Sequence, residues 1–130
     1  MKRTAIEIVN ARIFAEISLH TESMYNYMKS FKDTGDQCFK DNADRECTKV
    51  RVLRSLYRSY LIRVMDDYGA SDFNCITDAF SVAINNQINN MEEKYVAEDQ
   101  DAYYTHFYLY RMLVGMQNDI FETFAYETIK

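Results

Sequence analysis

The chain has 130 residues, of which 48% are hydrophobic, and a net charge of −5. That length fits one domain able to bury a core without disulfide or metal staples, and the apolar content excludes a disordered chain. Proline is absent and glycine occurs only at Gly35, Gly69 and Gly115, which excludes turn-rich sheet folds and leaves long helices with short links.

The N-terminal segment has no continuous apolar run or cleavage site, so no signal peptide is expected. Ile6, Val9, Ile13, Ile17, Met24, Met28 and Phe31 then recur every three or four positions, with His20 on the same stripe. This spacing predicts an amphipathic helix, with a candidate break at Thr21 and a stop at Gly35. The stretch DTGDQCFKDNAD is predicted as the first connection, with Asp41 or Asn42 capping the next helix and Asp44 and Glu46 near its positive end.

The second helix carries its stripe at Val50, Leu53, Tyr57, Leu61, Val64 and Tyr68, with Tyr60 beside it, and Gly69 is its predicted stop. Ser71 is the predicted cap of a third helix with Phe73, Ile76, Phe80, Ala83, Ile84, Met91 and Tyr95 on one face. Its opposite, amide-rich face (INNQINN) reads as solvated surface. Asp99 or Asp101 caps the fourth helix, which is apolar nearly all round between Ala102 and Met116. Tyr103, Phe107, Tyr110, Val114 and Phe121 form one of its faces and Leu109, Leu113, Met116, Ile120 and Phe124 a second. Tyr104, Tyr108, Met112 and Tyr126 form a third. A helix of that kind is either enclosed or carries an extra contact surface. The expected fold is therefore all-α: one domain, an antiparallel bundle of about four long helices.

Three cysteines (Cys38, Cys47 and Cys75) without a CxxC argue against a disulfide framework and against structural zinc. A single bridge between Cys38 and Cys47 stays open, since both flank the first predicted connection. No stretch approaches the roughly 20 apolar residues of a membrane span, so no membrane partner is expected and a reduced, cytoplasmic setting is.

Candidate chemistry is thin. The histidines are His20 and His106, too few for a histidine-rich di-iron site. Glu16 and His20 stand four apart without a second such pair, so no metal is expected. Helical ribonucleases of the HEPN type place an arginine closer to its histidine than Arg12 is to His20, which eight helical positions hold about 12 Å apart. The acidic pairs Asp33/Asp36, Asp41/Asp44 and Glu98/Asp101 fall in predicted links, where capping explains them. No glycine-rich phosphate loop exists. No catalytic residue and no cofactor is assigned; a small metal-dependent hydrolase is the remotest alternative.

Charge is unevenly placed. Residues 1–65 carry 12 basic and 8 acidic side chains, and residues 66–130 carry 3 and 12. Arg51, Arg54 and Arg58 share one side of the second helix, opposite the Val50–Leu53–Tyr57 seam. This stripe is a candidate contact for an acidic partner, for the chain's own acidic half, or for phosphates. Eleven tyrosines without a tryptophan suit a contact surface, and Tyr104, Tyr108, Met112 and Tyr126 are its candidate residues. The leading expectation is a non-enzymatic protein-binding module that also self-associates as a homo-oligomer; contact with nucleic acid through the arginines is the alternative. In its proline-free, tyrosine- and asparagine-rich composition the chain resembles small phage- or virus-encoded proteins directed at host machinery, which implies an inhibitor or adaptor. In size and in its one basic helix it is similar to the small subunits of CRISPR effector complexes, which implies backbone-phosphate contact.

Overall fold

The computed structural model describes residues 4–66 and 72–129. Four helices account for nearly all of them: α1 (Ala5–Thr34), α2 (Gln37–Asp66), α3 (Asp72–Val96) and α4 (Gln100–Ile129), with no strand among the described residues. The expected caps at Gly69 and Ser71, and Tyr68 of the α2 stripe, lie outside the described residues.

Local chemistry sets the helix ends. Thr4 opens α1, its Oγ1 accepting from the Glu7 N–H at 3.3 Å and donating to the Glu7 carboxylate at 3.1 Å. No break occurs at Thr21; the helix runs on to Thr34. Gly35 then adopts φ 71°, and its N–H bonds to the Phe31 carbonyl at 2.7 Å. That left-handed stop suits glycine and reverses the chain at once. Asp36 caps the next helix, accepting from the Cys38 N–H at 3.0 Å, so α2 starts earlier than the expected Asp41 or Asn42 cap. The link is only Gly35 and Asp36, and both Cys38 and Cys47 fall on α2. Nine helical positions hold them roughly 13 Å apart, beyond the reach of a disulfide, and both are free. At α4 the expected Asp99 cap is present, its carboxylate accepting from the Ala102 N–H at 3.2 Å.

Cross-helix contacts fix the topology. Phe14 meets Tyr57 and His20 meets Glu46, so α1 and α2 are antiparallel. Phe73 stacks on Phe121 and Gln87 meets His106, so α3 and α4 are antiparallel. Arg12 meets Asp119 near one end and Tyr27 shares a cleft with Tyr104 near the other, which sets α1 against α4. The bundle is up-down-up-down, with α2 diagonal to α4 and its closest packing within the α1–α2 and α3–α4 hairpins.

One core joins the two hairpins: Ile8, Val9 and Ile13 of α1, Leu53, Leu56 and Tyr60 of α2, Cys75, Ile76, Ala79 and Phe80 of α3, and Leu113, Met116 and Ile120 of α4. In α4 the Leu109–Leu113–Met116–Ile120 face is the buried one. In α2 the seam is rotated from the expected one: Leu56 and Tyr60 are buried, while Tyr57 and Val64 lie at its margin. In α1 the buried residues stop at Ile13, and Ile6 and Met28 of the expected stripe are exposed. In α3, Phe73 and Tyr95 are exposed, and the amide face contributes a buried Gln87. These shifts share a cause: a helix with two neighbours buries the side that faces both, which an apolar stripe alone does not locate.

Candidate functional site

Three features stand outside the apolar core. The first is a chain of charged groups across α1, α2 and α4. Arg12 bridges Asp119 at 3.0 Å and Glu16 at 2.7 Å. Glu16 meets His20 Nε2 at 2.9 Å, and Glu46 meets His20 Nδ1 at 2.5 Å. Lys49 then holds the other Glu46 oxygen at 3.1 Å. Glu16, His20 and Glu46 each expose 14% or less of their side chains. Both ring nitrogens of His20 face carboxylates. The sequence pairing of Glu16 with His20 is thus part of a polar network that ties α1 to α2. Glu46, read as a charge near the positive end of α2, joins His20 to Lys49 in it.

The second feature is the end of the bundle where α3 passes into α4. Glu98 takes a left-handed φ of 58°, unusual for a residue with a side chain, and turns the chain toward the Asp99 cap. Tyr95 and Val96 are 75% and 82% exposed there. The Tyr95 and Tyr103 rings lie 6.3 Å apart between centroids, and Tyr103 and Tyr104 5.6 Å apart in edge-to-face contact. A shallow hollow of about 710 Å³ joins these rings with Glu98 and Asp99 on its rim. Around the corner, a cleft of about 230 Å³ lies between α4 and the α1–α2 hairpin, with Tyr27, Tyr104 and Tyr108 as walls and Arg45, Glu46 and Lys49 on its α2 side. Glu46 therefore belongs both to this cleft and to the polar network.

The expected tyrosine face is brought together only in part. Tyr104 and Tyr108 are 53% and 54% exposed and adjoin the same cleft. Met112 packs against the core instead. Tyr126 is exposed, but 18 helical positions carry it about 27 Å from Tyr108, outside the same patch. Tyr95, Val96 and Tyr27 join the surface unannounced. Tyr95 had the spacing of a core residue but lies in the last turn of α3.

The third feature is the outer side of α2. Arg51, Arg54 and Arg58 are all exposed there, and none makes an ion pair with a described residue, so the acidic α3 and α4 do not neutralise them. Because α2 is diagonal to α4, the arginine stripe and the tyrosine surface face different ways.

Two titrating groups are displaced from their ordinary ranges. Burial lowers the His106 pKa, with Lys94 adding to the effect and Glu93 opposing it; its Nδ1 is 2.7 Å from the Gln87 amide oxygen. Burial pushes Tyr60 up to about 12, and its hydroxyl has no hydrogen-bond partner among the described residues.

Among the described residues no three His, Cys, Asp or Glu side chains are grouped to hold a metal ion, and no helix is long and apolar enough to cross a membrane. No family model matches the chain, and neither a curated protein nor a solved structure does.

Proposed function

We propose that the chain is a non-enzymatic protein-binding module whose working surface is the tyrosine-rich end formed by the α3–α4 link and the first turns of α4. The observation that carries this reading is the contiguous exposure of Tyr95, Val96, Tyr104 and Tyr108 around one hollow and one cleft. Large apolar side chains clustered at one end of a small domain are costly in water and suit the centre of an interface. Tyrosine suits that role because its ring buries area while its hydroxyl stays hydrated when the partner is absent.

The rim selects the partner's chemistry. Glu93, Glu98, Asp99 and Asp101 are exposed on the α3–α4 side of this end with Lys94 among them, while Arg45 and Lys49 stand on the α2 side of the cleft. A partner surface bearing arginine or lysine is therefore matched twice, by the carboxylates and by cation–π contact with the tyrosine faces. Such a module acts as an adaptor, an inhibitor covering a basic surface, or a small subunit. The α2 arginine face of a second copy is itself such a surface, which makes head-to-tail self-association the second reading. Tyr104→Asp with Tyr108→Asp should dissociate the complex while leaving the circular dichroism of the helices intact. A complex that survives this double substitution would sink the assignment of this face.

A further inference from the structure

The α2–α3 side of the bundle carries a polar groove, which the tyrosine end does not explain. It has a volume of about 420 Å³ and is lined by Ser55 and Ser59 from α2 and by Asn86, Asn89 and Asn90 from α3. A smaller hollow of about 260 Å³ continues it along α2, sharing Ser55 and Ser59 and adding Arg58 and Arg63. No acidic side chain lines either space. The hydroxyls and amides of Ser55, Ser59, Asn86, Asn89 and Asn90 make no hydrogen bond to another described residue. Arg63 Nε is buried without a partner among the described residues, and Arg51, Arg54 and Arg58 stand exposed and unpaired on the same helix.

We infer that this groove binds the sugar–phosphate backbone of a nucleic acid, without reading its bases. Three properties select that ligand. The groove offers donors to an acceptor-rich chain, and guanidinium, hydroxyl and amide groups are the side chains that contact phosphate and sugar oxygens. Arg58 and Arg63 line its continuation and Arg51 lies further along the exposed side of the same helix, so that cations are spread over about 18 Å, which suits a ligand with repeated negative charge. Its apolar lining is aliphatic (Val52, Leu56, Ala79, Val82 and Ala83), so no aromatic platform is present for base stacking. The acidic remainder of the chain opposes binding at long range and limits the contact to this strip. The groove lies apart from the tyrosine end, so the inference does not rest on the protein-binding reading.

Fluorescence anisotropy with a labelled mixed-sequence DNA of about 20 nucleotides, single-stranded and as duplex, tests it. Both forms should bind, and three arginine–phosphate contacts give a log–log salt slope of about −2.7 on the duplex, a loss of about 40-fold between about 50 and about 200 mM salt. Arg51→Gln with Arg58→Gln should cut that slope to about −1 and weaken binding at low salt by more than about tenfold. These residues are exposed, so the variant keeps its fold. Asn86→Asp with Asn89→Asp, on the opposite wall, should also weaken binding, whereas Tyr104→Asp with Tyr108→Asp should leave it unchanged. The inference is overturned if no anisotropy change occurs at about 100 µM protein, the weak end of non-specific binding. It is also overturned if the arginine variant binds as wild type, or if polyglutamate of equal charge competes as well as unlabelled DNA.

Discussion

His20 on α1 and Glu46 on α2 meet at 2.5 Å, so that two polar side chains, both largely out of solvent, join the two helices of the first hairpin. With either partner removed, the other remains as a desolvated group facing one neighbour fewer. Glu46→Ala is expected to lower unfolding free energy by about 2 kcal/mol. Replacing both partners with packed apolar residues, His20→Phe with Glu46→Leu, should restore part of that loss, because Glu16 keeps Arg12 and only the more exposed Lys49 loses its carboxylate partner. Urea denaturation of the three proteins checks this. A double variant less stable than Glu46→Ala would show that the pair supplies net stability.

Gly35 and Gly115 should respond to alanine in opposite directions. An added Cβ meets nothing within 4 Å at either position, so packing is not the issue. Gly35 sits at φ 71°, where alanine is strained, and Gly35→Ala should cost about 1 kcal/mol. Gly115 lies within α4, where alanine restricts only the unfolded chain, and Gly115→Ala should add roughly 0.5–1 kcal/mol. Thermal midpoints shifted in the same direction would contradict the conformations assigned to them.

Tyr60 buries a hydroxyl without a partner among the described residues. Tyr60→Phe removes an unsatisfied polar group at constant packing, and stability at neutral pH should rise by about 1 kcal/mol. The same burial raises the folded-state pKa from 10.0 to about 12. The unfolded chain then loses its proton first, so wild-type stability is full below pH 10.0 and falls as pH rises toward about 12. The Phe variant should lack this component. Urea midpoints of both proteins near neutrality and at high pH read the difference.

His106 titrates with the opposite sign. Its folded-state pKa lies below the ordinary 6.5, so on acidification the unfolded chain takes the proton first. Stability is full above pH 6.5 and falls as pH drops through the lowered value, with Lys94 strengthening and Glu93 weakening the effect. His106→Gln should flatten this part of the profile relative to wild type. Equal acid slopes for the two proteins would show that burial of His106 does not depress its folded-state pKa.

Much of the architecture was legible because the relevant signals are local. Gly35 ends α1 by its own conformation, Asp99 caps α4 by its own carboxylate, and Leu109, Leu113, Met116 and Ile120 keep a helical period that only burial explains. The functional surfaces were less legible because they depend on what lies across the bundle. Gln87 reads as one more solvated amide until His106, 19 positions later, is placed against it. Tyr95 has core spacing, yet α3 ends there and leaves it uncovered. The Arg51–Arg54–Arg58 stripe was readable in full, whereas the hydroxyl-and-amide groove beside it exists only once α3 packs on α2. The two-residue link at Gly35 and Asp36 also removed a disulfide that a longer connection would have permitted.

The most direct test of the tyrosine end is site-specific photocrosslinking, with a benzophenone amino acid in place of Tyr104 and, as control, in place of the exposed Glu22 of α1. In lysate of the source cell, Tyr104 should yield a discrete protein adduct that Glu22 does not, and excess unlabelled wild-type chain should compete it away. An adduct of twice the chain's mass would identify a second copy as the occupant, and any other discrete mass a foreign partner. Equal, diffuse adducts from the two positions would contradict the claim that this end is a binding surface.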